Sequence, residues 1–171
     1  QKGILGINFF EILIGIGIFL IFLIFRGLIS KLIIKKLEII SKRTTNKLDD
    51  TFVHSLIGPV RFLPIVLGFF FASYYLTFES DTREFVNNIN RTLITILIFW
   101  TIHQIIEPIS YVLSGLGKIL TRELISWIVK SIKILIFILG SAAVLELWGI
   151  KIGPIIAGLG LFGVAVALGA Q

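Results

Sequence analysis

Arg61, His103 and Glu107 are ionisable side chains set inside apolar stretches of this sequence. Charge is expensive in a bilayer core, so groups of this kind mark pairing, proton relay or substrate contact. His103 and Glu107 stand at i and i+4 and share one helix face. Two ligands without a third make a poor metal site, so structural hydrogen bonding is the stronger reading and no metal is expected. Arg61 and Glu107 lie at similar depth, measured from the same side, on consecutive apolar runs. They are predicted to pair or to share a polar network with His103; the alternative is that each reaches interfacial water alone.

No catalytic constellation accompanies them. The sequence has no HExxH, no Walker-type loop, no nucleophile elbow and no Ser/His/Asp arrangement in a polar setting. The absence of Cys removes disulfides and thiolate metal sites. The glycines of the segment AGLGLFG have the density of a phosphate-binding loop, but they run directly into an apolar helix with no preceding strand and no acidic residue downstream. No enzyme activity and no cofactor are expected.

The elements that hold these residues are membrane spans. The sequence is 56% hydrophobic, with a mean hydropathy of +1.00, well beyond a water-soluble domain. Five apolar runs, each near the ~20 residues needed to cross a bilayer, occupy 4–25, 52–78, 92–117, 127–148 and 154–171. The fold class is therefore all-α, a polytopic helical membrane protein with five transmembrane helices. The first run is too long for a cleavable leader and lacks a cleavage site. The sequence opens without Met and stops inside an apolar run, so it reads as the membrane part of a longer protein. Residues 1–148 form a four-helix, lipid-facing region, and 149–171 a hairpin turn with a last helix.

The connections alternate in charge. The loop 26–51 holds Arg26, Lys31, Lys35, Lys36, Lys42, Arg43 and Lys47 against Glu38, Asp49 and Asp50; Lys118 and Arg122 dominate the third connection, with Lys130 and Lys133 just beyond it. The second connection is slightly acidic. The positive-inside rule then puts the basic loops in the cytoplasm, the N-terminus outside and the C-terminal end of the sequence inside. The net charge of +6 reflects orientation, and no nucleic-acid partner is expected. Leu32, Ile33, Leu37, Ile39 and Ile40 among the lysines leave two readings: the first helix continues past the interface with its lysines snorkelling to lipid headgroups, or the stretch is an ordinary inside loop, the commoner case. Thr44–Asn46 reads as a turn, with Asp49 or Asp50 capping the next helix. Trp127 and Trp148 bracket the fourth run as interfacial anchors, and Glu146 and Lys151 are candidate partners across the last turn. That short turn predicts a tight antiparallel hairpin of the fourth and fifth spans, with Pro154 in the first helical turn.

The fifth run, PIIAGLGLFGVAVALGAQ, is uncharged and rich in Gly and Ala. Each helical Gly costs about 1 kcal/mol relative to Ala, so this density implies close helix contacts. On a wheel of about 100° per residue, Ala157, Leu161, Val164 and Leu168 share one face, with Gln171 at its edge. Ile155, Leu159, Phe162 and Val166 lie opposite. Gly160, Gly163 and Ala167 line one flank, and Gly158, Ala165 and Gly169 the other. Two small flanks let copies of the helix close into a ring. The medium aliphatic face would then surround the axis, with Val164 and Leu168 as constrictions that gate by dewetting. The competing reading is a tightly packed membrane helix with no pore.

GLGLFGVAVALGAQ resembles the pore-lining helix of the small-conductance mechanosensitive channel (MscS) family, a Gly/Ala-rich run with two apolar residues one turn apart and a Gln after the Ala/Leu-rich end. LDDTFVHSLIGPVRFLP resembles the loop and helix upstream in larger, five-span members. The resemblance implies a homoheptamer of a bacterial inner membrane that opens under bilayer tension and passes ions and small osmolytes on hypo-osmotic shock. By motif position, Val164 and Leu168 take the places of the hydrophobic seal. Gly160, Gly163, Ala165 and Ala167 take those of the small residues along which neighbouring pore helices slide. Val164, where Leu is usual, and Ala167, where Gly is typical, are departures. Family members continue into a cytoplasmic vestibule, which is expected after residue 171.

Two other functions remain open at this level. A carrier using the polar residues of spans two and three predicts saturable flux without single-channel steps. A non-conducting scaffold predicts no current at any tension.

Overall fold

A computed structural model of the chain describes residues 8–41, 47–114 and 121–169. Five helices follow in order: α1 (Phe9–Ser41), α2 (Lys47–Tyr75), α3 (Ser80–Ser114), α4 (Arg122–Leu147) and α5 (Gly153–Gly169), with no strand among the described residues. A helix satisfies its backbone polar groups internally, which the hydrocarbon layer demands. Helices α1 to α4 are long and apolar enough to cross a membrane, while α5 is a shorter apolar helix of 17 residues.

Each of the first four helices packs on the next: α1 on α2, α2 on α3 and α3 on α4. The core is thin. Its buried apolar residues include Val53, Val66 and Ala72 of α2, Ile106 of α3 and Ile125 of α4, while large aliphatic and aromatic side chains cover the outside. That inversion suits a protein whose solvent is lipid. Glycines set the closest approaches. A Cβ at Gly68 would lie 2.6 Å from the Phe22 Cβ, one at Gly140 2.9 Å from Phe99 Cγ, and one at Gly58 3.1 Å from the ring of Trp100.

Prolines inside helices need substitute partners. Pro59 and Pro64 lie within α2 and Pro108 within α3; Pro64 and Pro108 are fully buried. Pro64 offers no N–H to the Val60 carbonyl. The Ser30 hydroxyl of α1 approaches that carbonyl at 3.4 Å while also donating to Arg26 O at 2.6 Å. A second polar tie joins α2 to α3, where buried Asn90 donates to the Ser73 hydroxyl at 2.7 Å.

Several sequence-based boundaries shift. Helix α1 continues to Ser41, so most of the expected loop 26–51 is helical and the less favoured reading of that stretch holds. Helix α2 is already formed at Lys47, so Asp49 and Asp50 lie inside it and do not cap it; Thr44–Asn46 lies outside the described residues. Helix α3 starts at Ser80, not near 92, so most of the expected acidic loop is helical. Phe85, Val86 and Ile89 give that polar stretch an apolar stripe at helical spacing. Helix α4 begins with Thr121 as N-cap, its side chain accepting from Leu124 N at 3.4 Å.

Candidate functional site: the fifth helix and its attachment

Helix α5 spans about 25 Å at 1.5 Å per residue. All its described side chains are exposed: Leu161 is 73%, Val164 58%, Leu168 67% and Phe162 69% accessible. Ala157, Gly158, Gly160, Gly163, Ala165, Ala167 and Gly169 are equally open. The side chains of Leu159 and Val166, and Gln171 altogether, lie outside the described residues. The turn before α5 is short, as expected, but the tight hairpin is not found: α4 and α5 share no interface like those joining the other consecutive helices. Small side chains offer α4 little area to hold.

The glycines divide accordingly. Those at 58, 68 and 140 sit against side chains of the neighbouring helix and Gly15 against Leu76 just past α2, whereas a Cβ at Gly158, Gly160, Gly163 or Gly169 would meet nothing within 4 Å. Within the chain, these four glycines of α5 have no packing role among the described residues.

The polar residues form a different arrangement from the one expected. Glu107 of α3 pairs with Lys133 of α4, Nζ to Oε2 at 2.8 Å, the only ion pair among the described residues. Arg61 on α2 is exposed and takes no part in it. His103 stands one turn from Glu107 on α3 and is half-buried. The cationic partner of Glu107 is Lys133 and not Arg61; by sequence Lys133 reads with the basic flank of the third connection. Glu146 and Lys151 do not pair either; both are exposed, where water solvates each about as well as a partner would. His103 also borders an apolar cavity of about 670 Å³ between α3 and α4, with Phe99, Trp100, Phe137 and Ser141. No group of three or more His, Asp or Glu able to hold a metal occurs among the described residues.

The connection into α5 is closely organised. Trp148 ends α4; Gly149 follows with φ +81°. Gly149 N donates to Glu146 O at 3.0 Å and Ile150 N to Leu145 O at 3.1 Å, the two bonds of a Schellman closure, which calls for Gly in the left-handed region. The Trp148 indole donates to the Thr92 hydroxyl of α3 at 3.1 Å, and that hydroxyl donates to Asn88 O at 2.7 Å. Phe85 of α3 meets the indole edge-on, centroids 5.5 Å apart. Ile152 is buried and its carbonyl accepts from Ile155 N and Ile156 N, opening α5. Sequence reasoning assigned Trp148 to an interfacial belt only. The cap at Gly149 was readable, since a Gly just past an apolar periodic run signals a helix end.

Residues 130–171, covering most of α4 and all of α5, match the family described as "Mechanosensitive ion channel, transmembrane helices 2/3". The whole chain is similar to an uncharacterized MscS family protein of Aquifex aeolicus, 28% identical over 97% of this chain and 46% of the relative. It is similar to the uncharacterized MscS family protein YhdY of Bacillus subtilis, 25% identical over 96% of the chain and 45% of the relative. The large-conductance mechanosensitive channel MscMJLR of Methanocaldococcus jannaschii is 24% identical over 96% of the chain and 46% of its own length. The chain thus spans a little under half the length of these curated relatives. No solved structure matches it. A helical membrane fold, similarity to these relatives along nearly the whole chain, and a family match confined to α4 and α5 make this chain similar to MscS family proteins.

Proposed function

We propose that this chain supplies the membrane region of a tension-gated channel, a homo-oligomer in which one α5 from each subunit lines the pore. The observation that carries the reading is the unpartnered state of α5: flank glycines with open space beside them, on a helix whose described side chains are all exposed. Such flanks suit contact with identical neighbours. Ala157, Leu161, Val164 and Leu168 then face the axis, with Gln171 at the cytoplasmic edge, and Val164 and Leu168 form apolar rims where water is unstable. Gly158, Gly160, Gly163, Ala165, Ala167 and Gly169 make the helix-to-helix contacts.

Gating follows from area. An open ring occupies more of the membrane plane than a closed one, so tension favours it; a differential interaction of this kind is what any two-state switch requires. Helices α1 to α4 face lipid and deliver the force. The pore face carries no charge, so strong ion selectivity is not expected from this helix. The family relationship supports seven subunits, a bacterial inner membrane with the pore helix leading into the cytoplasm, and release of ions and small osmolytes on hypo-osmotic shock. The carrier alternative is weakened by the apolar lining of the α3–α4 cavity, which offers a hydrophilic substrate little.

Suction on patches of liposomes containing the full-length protein tests the reading. Stepwise currents are expected, with Val164→Ser and Leu168→Ser opening at lower tension and leaking at rest. Saturable flux without steps, no current at any tension, or two variants identical to wild type would each count against it.

A further inference from the structure

Helix α5 leaves its own subunit through a single connection, 148–152, and shares no packed interface with the helices before it. Under the channel reading, any movement of α3 and α4 that reaches α5 within one subunit must pass through that connection. Its stiffness on the α4 side therefore decides how much of the movement arrives.

The connection is stiff there for identifiable reasons. The Schellman closure at Gly149 fixes the chain direction out of α4. Trp148, the residue immediately before it, is held by α3 twice: its indole N–H donates to the Thr92 hydroxyl at 3.1 Å, and its ring stands edge-on to Phe85. The Thr92 hydroxyl spends its own proton on Asn88 O, so its lone pairs are turned outward to accept. A tryptophan serving only as a belt residue would direct its N–H to headgroups and water. This one directs it into the neighbouring helix. Farther along the same helix pair, Gly140 seats Phe99 and Lys133 pairs with Glu107. Helices α3 and α4 are thus tied at three levels and would tilt as one body.

We infer that Trp148, through Thr92 and Phe85, is the coupling residue that carries displacement of the α3–α4 pair into the start of the pore helix. It is a positioning residue: it touches neither the permeation path nor the apolar rims, and it acts on α5 through the turn at Gly149. Weakening it lets α3 move without taking the turn along, so more tension is needed to open the same pore.

The test uses the full-length protein in liposome patches, reading the tension for half opening and the unitary conductance separately. Trp148→Phe removes the donor and keeps a ring against Phe85. Thr92→Val removes the acceptor at nearly constant shape. Thr92→Ser keeps it. Trp148→Phe and Thr92→Val are each expected to raise the half-opening tension with conductance unchanged, the double variant no further than either single, and Thr92→Ser to match wild type. Additive shifts, no shift, or Thr92→Ser behaving as Thr92→Val would overturn the coupling while leaving the channel reading intact. A wild-type protein silent at all tensions would overturn that reading and this inference with it.

Discussion

The Ser30 hydroxyl of α1 lies 3.4 Å from the Val60 carbonyl of α2, the acceptor that Pro64 leaves without its helical donor. A kink-prone position in one helix is thereby matched by a hydroxyl in the next, and Ser30 is only 3% exposed. Membrane helices tolerate internal proline when a neighbouring Ser or Thr satisfies the freed carbonyl. The pairing also fixes the register of the α1–α2 contact.

Replacing Ser30 by Ala should therefore destabilise the protein by roughly 0.5–1.5 kcal/mol, the range for interhelical hydrogen bonds in membranes. Replacing Pro64 by Ala restores the N–H to the Val60 carbonyl, and in that background Ser30→Ala should cost less. Thermal denaturation in detergent of the two single variants and the double variant measures the difference. Equal costs for Ser30→Ala in both backgrounds would show that the hydroxyl serves only Arg26 O.

The Lys133–Glu107 pair calls for a similar cycle. Its side chains are 23% and 56% exposed, so it is neither a fully buried pair nor a free surface one. Coupling of about 1 kcal/mol is expected, between the weak surface value and the cost of stranding a buried charge. Glu107→Gln or Lys133→Met alone should lower the melting temperature, and the double variant should recover part of the loss. Arg61→Leu combined with Glu107→Gln should be simply additive, since no ion pair joins Arg61 to Glu107. Non-additivity there would restore the partner that the sequence alone proposed.

Legibility follows the physics of each element. Each of the five helices contains an apolar run that is plain in the sequence, and the small flanks of α5 are plain on a wheel, because both signals are local. The start of α3 at Ser80 was hidden: residues 80–91 are polar enough to read as a loop, and only the spacing of Phe85, Val86 and Ile89 hints otherwise. Glu107's partner was hidden for another reason. Lys133 reads with the basic flank of the third connection, and nothing local ties it to Glu107, 26 positions away. The grip of Thr92 on Trp148 joins residues 56 positions apart, and nothing local encodes it.

The two classes of glycine should respond oppositely to added bulk. At Gly68 and Gly140 the nearest atoms are Phe22 Cβ and Phe99 Cγ, at 2.6 and 2.9 Å, both close to a backbone and unable to swing aside. Gly68→Ala and Gly140→Ala should thus lower the stability of the subunit itself by about 1–3 kcal/mol, the usual cost of overpacking. At Gly160 and Gly163 the space is open within the subunit, and helix propensity favours Ala by about 1 kcal/mol. Gly163→Leu should leave subunit helicity intact by circular dichroism but reduce the oligomer seen by native mass spectrometry, since a bulky side chain would separate neighbouring pore helices. An intact oligomer in Gly160→Leu and Gly163→Leu would mean that these flanks meet lipid, and the ring would have to be built on another face of α5.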